Sequence, residues 1–116
     1  MEAAGVGFVV LYRWTLRPGQ EQAFVAAWSR VTKSLLGRGS LGSRLHRGPD
    51  GVWYGYAQWP SEDARAKAFE TADPDDDAWD RMQASVAGSL PEVRLWPVAD
   101  FLVTPTPVDA PGSSPQ

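Results

Sequence analysis

An α+β fold of the ferredoxin-like kind, running strand, helix, strand, strand, helix, strand, is what this chain of 116 residues predicts. Three observations carry that expectation. Segments 7–14 and 52–59 are rich in β-branched and aromatic residues, the composition of strands packed on both faces. Ala23, Phe24, Ala27, Trp28, Val31 and Leu35 recur at three- and four-residue steps, the stripe of a helix lying on a sheet. Gly48-Pro-Asp-Gly51 then reads as a hairpin connection, because proline presets φ and Asp-Gly suits a tight turn.

Taken in order, Gly7 to Trp14 is the first strand, ended by Arg17-Pro-Gly, where proline supplies no ladder donor. The first helix follows and closes at Gly37-Arg-Gly-Ser, whose glycines tolerate the positive φ that helix ends often need. Leu41 to Arg47 is a more polar second strand, with Leu41, Ser43 and Leu45 alternating against Gly42, Arg44 and His46. In the third strand Trp53, Gly55, Ala57 and Trp59 share one face, and Val52, Tyr54, Tyr56 and Gln58 share the other. Gly55 leaves a gap between two tryptophans that a neighbouring side chain or a ligand must fill.

Trp59-Pro-Ser61 turns this strand into a second helix, with Ser61 placed to cap it and Glu62 and Asp63 suited to its positive start. That helix runs through Ala64, Ala68 and Phe69, breaks at Asp73-Pro, and resumes from Asp75-Asp-Asp with Trp79, Met82, Gln83 and Val86. Glu92 to Val103 supplies the fourth strand. The folded unit is expected over 1–104, and 105–116 has the proline- and serine-rich makeup of a flexible tail. Helices cover one face of the four-stranded antiparallel sheet. Apolar residues on the other face predict a homodimer joined face to face.

Composition narrows the function. A net charge of −3 with no basic run lacks the footprint of a nucleic-acid binder. No stretch is long and apolar enough to span a membrane, and Met-Glu-Ala-Ala lacks the cationic start of a secretory signal, so a cytoplasmic protein is expected. The absence of cysteine removes disulfides, thiolate nucleophiles and Cys-ligated metals. No phosphate loop, nucleophile elbow or His-Glu helix motif supports a flavin, a nicotinamide or a zinc centre. The acidic run Asp73 to Asp77 fits a solvated helix start rather than a converging cation site. Six tryptophans exceed what so small a core needs, which points to a pocket or an interface.

Tyr12-Arg-Trp-Thr-Leu-Arg-Pro-Gly19, Phe24-x3-Trp28, Gly39-Ser-Leu-Gly-Ser-Arg-Leu-His46 and Tyr56-Ala-Gln-Trp-Pro-Ser61, in this order, resemble the antibiotic biosynthesis monooxygenase family over roughly Val9 to Val103. The resemblance implies a dimeric α+β barrel. It also implies one of several activities: quinone-forming monooxygenation of polyketides, quinol oxidation or haem degradation. The haem-degrading branch uses an asparagine near the end of strand one, a tryptophan early in the second helix and a later histidine ligand. Tyr12, Ala68 or Phe69, and the neighbourhood of Gln83 stand at those places, so haem is disfavoured, with Tyr or Met ligation left open.

The cofactor-free branch needs a dry aromatic slot, a base and oxyanion donors. Trp14, Trp28, Tyr54, Tyr56, Trp59, Trp79 and Met82 are candidates to wall such a slot, and each has the plain alternative of core or interface packing. His46, whose unperturbed pKa lies nearest neutrality, is the candidate base, and Arg44 on the same strand face is the candidate oxyanion partner. An exposed polar strand pair without chemistry is the alternative for these two. Tyr12, beside Arg13, is a candidate donor to a quinone oxygen or else a core tyrosine with a satisfied hydroxyl. The expected function is a small cofactor-independent monooxygenase of phenolic or quinol compounds, needing neither metal nor cofactor. A non-catalytic barrel that binds a hydrophobic metabolite is the alternative.

Overall fold

The computed structural model describes residues 5–71, 75–103 and 105. Seven elements follow one another: β1 (Phe8–Leu16), α1 (Glu21–Leu36), β2 (Ser43–Arg47), β3 (Trp53–Trp59), α2 (Glu62–Ala68), α3 (Asp76–Ala84) and β4 (Val86–Leu95). The strands form one antiparallel sheet in the order β2-β3-β1-β4, and the helices lie against one face of it. This is the ferredoxin-like arrangement that the element order predicts. No described helix is long and apolar enough to cross a membrane.

Local chemistry sets the junctions. Ser61 accepts from Ala64 N at 3.0 Å and caps α2, as its place after Trp59-Pro implies. Asp75 caps α3 by accepting from Ala78 N, and Asp76 and Asp77 occupy its first turn. The second helical region is therefore two helices, although the break expected at Asp73-Pro falls outside the described residues. At the end of α1 only Gly39, at φ +105°, uses the left-handed region, while Gly37 stays helical at φ −72°. Gly51, at φ +80°, closes the β2–β3 hairpin, and Asp50 fixes the turn by accepting from Val52 N at 3.0 Å.

The fourth strand begins six residues earlier than expected and ends at Leu95. Gly88, Ser89 and Pro91 read as turn residues, yet β4 is an edge strand, where a missing donor is tolerated. Its ladder with β1 shifts register between the Leu11 and Arg13 pairs and again between Thr15 and Leu16. Only Ser85 separates α3 from β4. Its carbonyl accepts from Arg17 N, and its hydroxyl donates to the Arg81 carbonyl. Residues 96–103 carry no strand pairing, and of the tail expected over 105–116 only Pro105 is described.

The core lies between sheet and helices in two clusters. One joins Trp14, Phe24, Ala27, Val31, Ala78, Met82 and Val86; the other joins Phe8, Val10, Trp59 and Ala68. Tyr12 and Leu35 pack against both. On the opposite face of the sheet no helix of the described residues packs, and Val9, Leu11, Tyr54, Tyr56, Arg44 and His46 alternate outward there.

Candidate active site

Between the two core clusters lies a cavity of about 360 Å³. The sheet provides its floor through Tyr12 and Trp14 of β1, Ser43 of β2, and Gly55, Ala57 and Trp59 of β3. Its roof is Trp28, Val31, Thr32 and Leu35 from α1, Arg65 and Phe69 from the α2 region, and Trp79, Met82 and Gln83 from α3. Alternation along β1 and β3 puts these floor residues on one side, and helical spacing puts Trp28, Val31, Thr32 and Leu35 on one flank of α1. The lining is mostly aromatic and aliphatic with a few polar groups, the usual makeup of a small-molecule site.

The space beside Gly55 is filled by protein. A Cβ built there would lie 2.9 Å from Cη2 and Cζ3 of Trp14, so the glycine admits the edge of that indole. Trp14 in turn stacks on Tyr12, with ring centroids 5.6 Å apart and planes 8° from parallel. The Gly55 gap thus serves to seat Trp14, which carries Tyr12 into position.

The polar end of the cavity is built around Arg65. Its Nη2 donates to the Tyr12 hydroxyl at 2.9 Å and to Glu92 Oε1 at 3.0 Å, while Nη1 donates to Glu92 Oε2 at 3.3 Å. The guanidinium lies over the Phe69 ring at 5.3 Å and the Tyr12 ring at 5.9 Å. Its side chain is 14% exposed and that of Glu92 30%. Glu92 Oε2 also accepts from Arg94 Nε at 2.9 Å, and Arg94 Nη1 reaches Glu62 at 3.1 Å, so an alternating row of charges leads outward.

These contacts set protonation states. Burial pushes the Tyr12 phenol above its usual range, and the charge and hydrogen bond of Arg65 oppose this only in part. Tyr12 is therefore neutral near pH 7 and keeps its proton. Because its oxygen already accepts from Arg65, that proton is left to donate. Burial works to raise Glu92 as well, but hydrogen bonds from Arg94 and Arg65 and their charges outweigh it and hold the carboxyl below its ordinary range. Two further donors, Arg65 Nε and Trp59 Nε1, are buried without an acceptor. The lining thus offers several donors, while its described side chains include no carboxylate and no imidazole.

Of the residues singled out from sequence, Tyr12, Trp14, Trp28, Trp59, Trp79 and Met82 meet around this cavity. Tyr54 and Tyr56 do not; they stand on the open face, where Tyr54 donates to Asp50 Oδ2 at 2.9 Å and Tyr56 borders two shallow grooves. Arg44 and His46 are exposed on that same open face, opposite Tyr56 and Tyr54 on β3, beside Leu102 and Val103. Arg65 and Glu92 escaped sequence reading. In sequence Arg65 is one of several charged positions within 62–67, and Gly88 and Pro91 hide the early start of β4 that places Glu92. One available signal was spacing: Arg65 and Phe69 are four apart on the helix that Trp59-Pro-Ser61 launches, and so share a face.

Solved structures share the fold. SnoaB from Streptomyces nogalater, described as a cofactor-independent oxygenase, is 17% identical with a TM-score of 0.68, over 84% of this chain and 98% of that one. A candidate antibiotic biosynthesis monooxygenase from Caulobacter crescentus is 20% identical with a TM-score of 0.67, over 81% and 92%. Rv0793 from Mycobacterium tuberculosis is 15% identical with a TM-score of 0.65, over 82% and 98%. At such identities the likeness is one of fold. No curated protein matches the chain in sequence. The profile of the antibiotic biosynthesis monooxygenases matches residues 7–85, more than half of the chain and all of the described cavity lining, and the chain belongs to that family.

Proposed function

We propose that the protein is a cofactor-independent monooxygenase that oxidises a flat phenolic or quinol-type compound in the cavity between sheet and helices. The observation that carries this reading is an aromatic-lined cavity with the Tyr12 hydroxyl and the Arg65 guanidinium in its wall. A phenol whose oxygen meets these donors loses its proton more readily, because the donors stabilise the oxyanion. A hydrogen-bearing ring carbon ortho or para to that oxygen, now carbanion-like, gives one electron to dioxygen; the two radicals combine into a peroxide, which takes up the phenol proton. Loss of the ring proton with cleavage of the O–O bond leaves a quinone carbonyl and releases water, so one substrate C–H and one phenol O–H are consumed per dioxygen.

In this reading Tyr12 donates to the substrate oxygen and Arg65 takes the oxyanion role, since it lines the cavity whereas Arg44 lies across the sheet. Trp14, Trp28, Trp59, Trp79 and Met82 wall the ring system. Oxygen uptake with a panel of hydroquinones tests it: consumption above the uncatalysed rate, lost in Tyr12→Phe and Arg65→Gln, supports the proposal. A folded protein that consumes no extra oxygen with any of them sinks it.

A second reading, a barrel that binds a hydrophobic metabolite without turning it over, is favoured by one feature. The described lining holds no group suited to take a proton at neutral pH. Calorimetric binding of a naphthol without oxygen uptake supports this alternative.

The protein is further proposed to act as a homodimer packed through the open face of the sheet. Leu90, Leu95, Trp96 and Phe101 are exposed there or beside it, and burying such a patch is favourable. Light scattering that returns a monomer mass at working concentration rules this out.

A further inference from the structure

At the polar end of the cavity the charges are paired in a row. Arg65 brings one positive charge to the lining, and Glu92 takes it up through both guanidinium Nη atoms. Arg94 and Glu62 extend the row and also balance, so two cations face two anions and the end of the cavity carries no net charge. Glu92 is largely engaged, because both of its oxygens already accept from arginines, Oε2 from two of them. The unpartnered groups next to this neutral row, the Tyr12 proton, Arg65 Nε and Trp59 Nε1, are all donors.

We propose that Glu92 is a specificity-determining residue: by neutralising Arg65 it makes the cavity select neutral, oxygen-bearing aromatics, such as phenols and quinones, over ring systems that carry a carboxylate. A carbonyl or phenol oxygen finds donors without disturbing the pair. A permanent carboxylate, stripped of water, must compete with Glu92 for Arg65 and sits near a second anion. Specificity then comes from a built-in repulsive element as much as from an attractive one. Glu92 acts on the substrate through Arg65 and is not placed against the reacting atoms.

This inference rests on the cavity being the binding site, and its test separates the two. Calorimetry at pH 7 compares 2-naphthol, neutral there, with 2-naphthoate, an ionised carboxylate of the same ring system. The intact protein is expected to bind the naphthol at least about tenfold more tightly. Glu92→Gln, close in size but uncharged, is expected to raise naphthoate affinity about tenfold and to move naphthol affinity less than about threefold. Arg65→Gln combined with Glu92→Gln should abolish the naphthoate gain while retaining the preference for the naphthol. Intact protein that binds the naphthoate as well as or better than the naphthol overturns the specificity proposal, leaves the cavity reading standing, and needs no variant to fold. A folded Glu92→Gln protein with an unchanged ratio also overturns it. Failure of the intact protein to bind either compound removes the cavity reading and this inference together.

Discussion

On one face of the sheet Tyr12, Trp14 and Trp59 lie under helices and surround a cavity; on the other, Tyr54 and Tyr56 face outward beside Arg44 and His46. The two faces are built from alternate residues of the same strands and both carry aromatic rings; the arginine on the covered side, Arg65, comes from α2, and Arg44 on the open side comes from β2. Enclosure separates them. Arg65 is 14% exposed and held by Glu92 and Tyr12, so its charge acts through few intervening waters. Arg44 and His46 are exposed, and their side chains make no hydrogen bond or ion pair among the described residues. Titratable groups gain chemical leverage when burial and partners shift them: at the covered end burial raises the Tyr12 phenol and the arginines lower Glu92, whereas on the open face the Tyr54 phenol is raised mainly by its hydrogen bond to Asp50 in an exposed turn.

The largest effect that sharpens this contrast is on stability. Trp59 is 1% exposed, and Trp59→Ala is expected to cost about 3–5 kcal/mol in urea unfolding, whereas Tyr56→Ala on the open face should cost the isolated fold less than about 1 kcal/mol. Equal losses at both positions would break the contrast. Next come the polar groups. Tyr12→Phe keeps the ring and its stack on Trp14 but removes the donor, and a fall in the rate of oxygen consumption of about 10²-fold is expected with stability nearly unchanged. Full activity in that variant would move the chemistry elsewhere.

Gly55→Ala probes how Trp14 is seated. The added methyl would come within 2.9 Å of the indole edge, so a loss of about 1–3 kcal/mol, together with altered ligand affinity, is expected from calorimetry and melting. A neutral result there would show that Trp14 shifts freely. The pH dependence follows from Glu92. Its folded-state carboxyl is held below the ordinary 4.5, so the stability it lends is complete at neutral pH and is lost as pH falls below about 4.5 and through the folded value. Unfolding midpoints measured between pH 7 and pH 3 should show this decline, and Arg65→Gln should flatten it. Smallest of all, Arg44→Gln and His46→Gln are expected to change stability by less than about 0.5 kcal/mol and to leave oxygen uptake unaltered. A large loss of uptake in either would return the chemistry to the open face.

Period-two alternation and the helical stripe were enough to order the elements and to gather six of the aromatic and polar candidates on one side, because side-chain direction follows directly from backbone geometry. The polar centre was less legible. Arg65 is separated from Tyr12 by 53 residues and from Glu92 by 27, so the cluster exists only after the strands pair and α2 docks. His46 drew notice through its intrinsic pKa, a property of the free side chain, whereas Tyr12 and Glu92 are tuned by neighbours that sequence does not display. Pro91 and Gly88 masked the start of β4, since an edge strand with shifted register tolerates residues that a central strand does not.

The central claim is that the enclosed face, not the open one, binds the substrate, and the six tryptophans report on it directly. Trp14, Trp28, Trp59 and Trp79 line the cavity, whereas Trp53 and Trp96 lie outside its lining. In a nitrogen-proton correlation spectrum of the indole groups, titration with 2-naphthol is expected to move the four cavity signals, that of Trp59 most, because its Nε1–H is buried without an acceptor. The signals of Trp53 and Trp96 should stay nearly still. Movement confined to Trp96, with the four cavity indoles unchanged, would contradict the account and place binding on the other side of the sheet.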